Sequence, residues 1–185
     1  MVADTQLFLL LNGLAGRSPF FDGLFVFLAV YLPYFLIVLF LALLFFSRYA
    51  QREKLRMILI VFSSSFIARF GAVELIRFFY HRPRPFLDLP VHQLLTSDKW
   101  SFPSGHAAFF FAMATAVYLY NRKWGIGFFV AAALIAISRV VAGIHYPSDI
   151  LGGALVGAAV AYVVFYLARR ISTSSFDDSS PNATL

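Results

Sequence analysis

The chain has 185 residues, of which 61% are hydrophobic and 13% charged, with a mean hydropathy of +0.79. These values lie far outside the range of soluble domains, and the length leaves no room for a sizeable soluble appendage. The lack of cysteine excludes disulfides and thiolate metal sites. A formal charge of +6, dispersed between apolar runs, argues against a nucleic-acid surface.

The opening residues, MVADTQLFLLLNGLAG, lack a basic leader and hold an apolar run too short to span. They are expected to form an interfacial helix lying along the membrane. A span needs about 20 predominantly apolar residues. Five stretches qualify, roughly 24–46, 57–79, 104–121, 125–144 and 149–168. Pro33 is expected to kink the first. Residues 80–103 carry Pro83, Pro85, Pro90 and Pro103 and read as a shaped loop. NRKWG, at 121–125, makes a tight connection. Gly153 and Gly157 form a small-xxx-small pair suited to packing on a neighbouring span. The tail 172–185 reads as disordered. The expected fold is all-α, a polytopic integral membrane bundle of about five spans plus the interfacial helix. One membrane-embedded domain covers residues 1–171.

Basic residues set the orientation. Arg48, Arg52, Lys54, Arg56, Arg122, Lys123, Arg169 and Arg170 fall on one side, which the positive-inside rule makes cytoplasmic. The N-terminus is then outside and the C-terminus inside.

Three polar clusters fall together on the outer side. The second span ends in ELIRFFYHRPRPF, with Arg77, Arg84 and Pro85; the third opens with Pro103, Ser104, Gly105 and His106. The fourth ends and the fifth begins within SRVVAGIHYPSD, which holds Ser138, Arg139, His145 and Asp149. Charged groups near span ends are costly unless they pair or serve a site.

This residue set suits a phosphate ester. Arginine forks match phosphate oxygens bidentately. A helix opening at Pro103 offers the backbone N–H groups of Ser104, Gly105 and His106 to an anion. Asp149, four residues after His145, can hold one ring nitrogen and leave the other as nucleophile, while His106 protonates the departing oxygen. Simpler roles compete: Ser104 as a helix cap, Glu74 pairing with Arg77, and His81 and His92 as ordinary loop residues.

The pattern Arg77-x6-Arg84-Pro85, Pro103-Ser104-Gly105-His106 and Ser138-Arg139-x5-His145-x3-Asp149 resembles the type 2 phosphatidic acid phosphatase superfamily. All three motifs stand in order within residues 77–149. One departure is Arg77, where the family usually has lysine. The resemblance implies a metal-independent phosphatase without cofactor, working through a phosphohistidine. On it, His145 attacks phosphorus, Asp149 orients it and His106 protonates the leaving group. Arg77, Arg84, Ser104, Gly105 and Arg139 would hold the phosphoryl oxygens. The compact length and the segment LNGLAGRSPFFD look most like small bacterial undecaprenyl-diphosphatases. The implied setting is a bacterial inner membrane with the site facing outward, and the implied partner a lipid phosphate or diphosphate.

The alternatives within the class are phosphatidylglycerophosphate, phosphatidate and lipid A phosphatases. Outside it stand a transporter with a polar surface cluster and a Ser104–His145 hydrolase. The second would leave the three arginines without a role, and against the first no inverted repeat is visible.

Overall fold

The computed structural model describes the backbone of residues 2–97 and 100–177, with side chains as far as residue 171. Among them every regular element is helical. Helix α1 is Val2–Asn12. α2 runs Pro19–Phe46 and α3 runs Gln51–Phe79. A short α4, Pro85–Asp88, lies in the proline-rich loop. α5 is Gly105–Tyr120, α6 is Arg122–Val141 and α7 is Pro147–Asp177. α7 thus carries helix into the segment expected to be disordered, and residues 178–185 lie outside the described residues.

Helices α2, α3, α6 and α7 are long and apolar enough to cross a membrane. α5, expected as one of five spans, is shorter at 16 residues. At 1.5 Å per residue it reaches about 24 Å. Its surroundings explain the length: Ala107, Ala108, Ala112, Met113, Ala116 and Val117 are almost wholly buried. Protein rather than lipid covers it, so hydrocarbon thickness does not set its length. Gly153 and Gly157 of α7 let that helix lie backbone to backbone with α5. A Cβ on Gly153 would overlap the Ser104 carbonyl, and one on Gly157 the Ala108 carbonyl. Close approach through small residues is how helices gain contact where lipid supplies no hydrophobic drive.

Both long N-terminal spans are interrupted by π-helical turns, at Phe27–Tyr31 in α2 and Ile67–Ala72 in α3. The first precedes Pro33, which has no N–H to return to the Ala29 carbonyl four residues back. That carbonyl accepts from Arg139 Nη1 instead, at 3.5 Å. The proline expected only to kink the span therefore leaves an acceptor for a site arginine.

α1 packs across the polar end of the bundle. Phe8 is fully buried against Val140 and Tyr146, and Asn12 Nδ2 donates to the carbonyls of His92 and Val141 at 2.8 and 2.9 Å. Val2, Leu7 and Leu10 stay exposed on its outer face, as an interfacial position requires.

Candidate active site

The ends of α3, α5, α6 and α7 meet at one end of the bundle. His145 lies in the turn between α6 and α7, 1% exposed. Its Nδ1 is 3.3 Å from Asp149 Oδ2, one helical turn further on. The Tyr146 N–H donates to that oxygen at 2.8 Å, and Arg82 Nη1 donates to Oδ1 at the same distance. With the carboxylate pinned, the proton on Nδ1 is held and Nε2 keeps its lone pair. Arg84 Nη1 is 3.5 Å from Nε2 and donates to the Ile144 carbonyl at 2.6 Å. An anion drawn to Arg84 therefore arrives at that nitrogen.

Burial, reinforced by the Arg139, Arg84 and Arg77 guanidinium groups, holds the His145 imidazole well below the usual histidine range. It is therefore neutral near pH 7, the form that can attack.

The arginines are spread around this pair. Arg77 Nη2 donates to the Pro103 carbonyl at 3.0 Å, and Arg84 Nη2 to that of Trp100 at 3.3 Å. Arg77 Nε and Arg139 Nε are buried without a hydrogen-bond partner among the described residues. Native structures rarely leave buried donors orphaned, and each carries a desolvation penalty until an acceptor arrives. Two such donors beside a neutral imidazole call for an anion.

Ser104 caps α5, its hydroxyl accepting from the Ala107 N–H at 3.5 Å. One expectation is corrected here. The Ser104 N–H is taken by the Asp149 carbonyl at 2.9 Å, so the helix opening presents Gly105 and His106 rather than three donors. His106 lines a groove of about 470 Å³ between α2, α3 and α5.

All eight residues expected from the sequence lie at this end. Three further ones do as well. Arg82, in the loop after α3, bridges Asp149 to Asp4 of α1, donating to Asp4 Oδ2 at 2.7 Å. Asp4 also accepts from the Ser148 backbone and hydroxyl at 2.9 and 2.6 Å. Burial pushes the Asp4 carboxyl up, but the Arg82 and Ser148 hydrogen bonds outweigh it and hold it below the usual aspartate value. Arg69 is the third. Glu74, expected to pair with Arg77, is 2.6 Å from Arg69 and 3.5 Å from Arg77. The π-turn over Ile67–Ala72 brings residues five apart into register, so Glu74 meets Arg69 first.

Comparison with known proteins agrees with this geometry. The chain is 31% identical over 167 residues to the bacitracin transport permease protein BcrC of Bacillus licheniformis, covering 89% of this chain and 80% of that one. It is 28% identical to undecaprenyl-diphosphatase BcrC of Bacillus subtilis, covering 86% and 81%. The crystal structure of Aquifex aeolicus LpxE superposes with a TM-score of 0.67 at 30% identity, over 88% of this chain and 94% of that one. The family model of the PAP2 superfamily matches residues 53–172, which takes in all three motifs and the helices that carry them. With its polar end and its sequence in agreement, this integral membrane protein belongs to the PAP2 superfamily of phosphatases.

Proposed function

We propose that the protein removes the terminal phosphate of undecaprenyl diphosphate at the outer face of a bacterial inner membrane, through a phosphohistidine on His145. The observation that carries this is the pair of orphaned guanidinium donors, Arg77 Nε and Arg139 Nε, around a neutral, carboxylate-held imidazole. The relative in Bacillus subtilis, named an undecaprenyl-diphosphatase, supports the choice of lipid.

In the first step the Nε2 lone pair of His145 attacks phosphorus and the bond to the bridging oxygen breaks. His106 gives its proton to that oxygen, and the lipid monophosphate leaves. Arg77, Arg84, Arg139 and the Gly105 and His106 N–H groups hold the three phosphoryl oxygens as charge builds on them. The arriving anion offsets the guanidinium charges, which favours the protonated form of His106. In the second step His106 takes a proton from water. The resulting hydroxide attacks phosphorus, and the N–P bond breaks to return the electron pair to Nε2. Arg82 and Asp4 hold Asp149, and through it the ring. The outward facing rests on the basic residues of the opposite end, Arg48, Arg52, Lys54, Arg56, Arg122 and Lys123.

The test is phosphate release by purified protein from undecaprenyl diphosphate, phosphatidylglycerophosphate, phosphatidate and lipid A, with and without chelator. Undecaprenyl diphosphate is expected to turn over fastest, with no effect of chelator and inhibition by vanadate. A faster phosphatidylglycerophosphate reaction would move the substrate, and activity restored to a chelated sample by magnesium would refute the metal-free mechanism. A second reading has one observation behind it, the relative named as a transport permease. Absence of phosphate release from every lipid would favour it.

A further inference from the structure

Arg69 is a charged residue in the middle of the apolar run of α3, and no motif accounts for it. An ionisable group at such a position is a functional-site candidate with a partner to be named. Glu74 is its hydrogen-bond partner among the described residues, through Nη1. A guanidinium has five N–H donors, so one bond to Glu74 leaves the fork largely uncommitted. The side chain lies across the opening of α5, where a Cβ on Gly105 would overlap its Nε, Cδ and Cζ atoms. Glycine at 105 thus leaves room for Arg69 as well as for a phosphate.

The setting of Arg69 identifies what it meets. It and His106 line the same groove, whose walls include Val30, Phe62, Phe66 and Phe109. A chain of hydrocarbon can lie along those walls, with its head at Arg69 and His106. On the proposed reaction His106 protonates the leaving oxygen, so a cation lining the same apolar groove is within reach of the leaving group. We propose that Arg69 binds the lipid-side phosphate of a diphosphate substrate, the phosphate that departs with the lipid. This makes Arg69 a specificity-determining residue for diphosphates over monophosphates. In the reaction the bond between the terminal phosphorus and the bridging oxygen breaks, and the electron pair stays on an oxygen of the departing phosphate. Arg69 neutralises that growing charge. A monophosphate lipid expels an alkoxide and presents no second phosphate to this arginine.

The inference rests on the diphosphatase reading above, and the experiment separates the two. Farnesyl diphosphate and farnesyl monophosphate are compared as detergent-dispersed substrates for the wild type and Arg69→Gln. The diphosphate-to-monophosphate ratio of kcat/KM should fall about tenfold or more in the variant, the size of one charge-assisted hydrogen bond. A methylene-bridged farnesyl diphosphate analogue should likewise lose affinity relative to vanadate, which reports on the phosphoryl pocket alone. Should loss of the Arg69–Glu74 pair prevent folding, the double variant R69Q/E74Q removes both charges and the same ratios are read. Equal losses on both substrates would overturn the Arg69 assignment while leaving the diphosphatase reading standing. Failure of the wild type to cleave farnesyl diphosphate would overturn the reading and the assignment together.

Discussion

In the half of the bundle away from the site, Phe40, Leu44, Met57, Val117 and Phe128 are at most 2% exposed and pack apolar against apolar. At the other end, Arg84, His145 and Asp149 are buried to a similar degree, at 3%, 1% and 0% exposed. There the arginines are held by backbone carbonyls, of Pro103, Trp100, Ile144 and Ala29, and the carboxylate by Arg82 and an N–H group. The apolar half is complete as it stands. The polar half is not, because buried donors on Arg77 and Arg139 lack acceptors among the described residues, and on the proposed reaction a bound phosphate removes that deficit. The same helices serve both halves, and the close α5–α7 contact joins them. Damage to the apolar half should therefore cost the fold, and damage to the polar half should cost turnover.

The largest effect is expected at the join. In Gly157→Leu the added atoms meet the backbone of Ala108 and Ala112, which cannot move aside as a flexible side chain would. Overpacking of this kind costs about 1–3 kcal/mol or more, and here it should remove most folded, monodisperse protein on size exclusion. A variant with the wild-type melting temperature would refute the α5–α7 contact.

Next comes His106→Asn, which should fold normally and lose catalysis. General acid catalysis is typically worth about 10²–10⁴-fold and matters most for poor leaving groups. Single-turnover phosphoenzyme formation should therefore drop at least about tenfold more for phosphatidate than for undecaprenyl diphosphate. Equal losses would make His106 a phosphate-binding residue instead.

Arg82→Gln should have a smaller effect, lowering kcat/KM about 10- to 100-fold through loss of the hydrogen bonds that orient Asp149. Because Arg82 is a positioning residue, the loss should fall on kcat with KM little altered, and Arg82→Lys should recover part of it. A loss confined to KM would place Arg82 in substrate binding.

Asp4→Asn is the mildest, at about 1 kcal/mol of stability near pH 7. The sign follows from its lowered pKa. A carboxylate stabilised in the fold contributes fully above its unfolded value, here the ordinary 3.8, and loses that contribution as pH falls through the folded value. Melting temperatures of variant and wild type should therefore differ at neutral pH and converge as pH falls below the folded value. A constant difference across that range would show that Asp4 acts through packing rather than charge.

The parts of the site legible in the sequence are those made by short spacing. Four residues from His145 to Asp149 is one turn, and Ser104, Gly105 and His106 are consecutive at a helix start that serine announces. Arg82 and Asp4 are 78 residues apart, and only the docking of α1 brings them together. Glu74 and Arg77, three apart on a helix, pair at 3.5 Å as that spacing expects. The shorter contact from Glu74 to Arg69, five residues back, depends on the π-turn, and periodicity in the sequence gives no sign of it. Arg69 does carry a signal in the sequence, since a lone arginine within an apolar span needs an explanation. Two spans start ahead of their apolar runs: Ser18-Pro19 caps α2 before its run thickens, and polar Gln51–Lys54 already lie in α3.

If the polar end places phosphorus on His145, the phosphorylated intermediate can be trapped. Purified protein mixed with undecaprenyl diphosphate labelled in its terminal phosphate, then quenched within one turnover, should carry acid-labile, alkali-stable label on His145. Label should be absent in His145→Ala. Label retained in that variant, or none in a wild type that releases phosphate in a burst, would contradict the account.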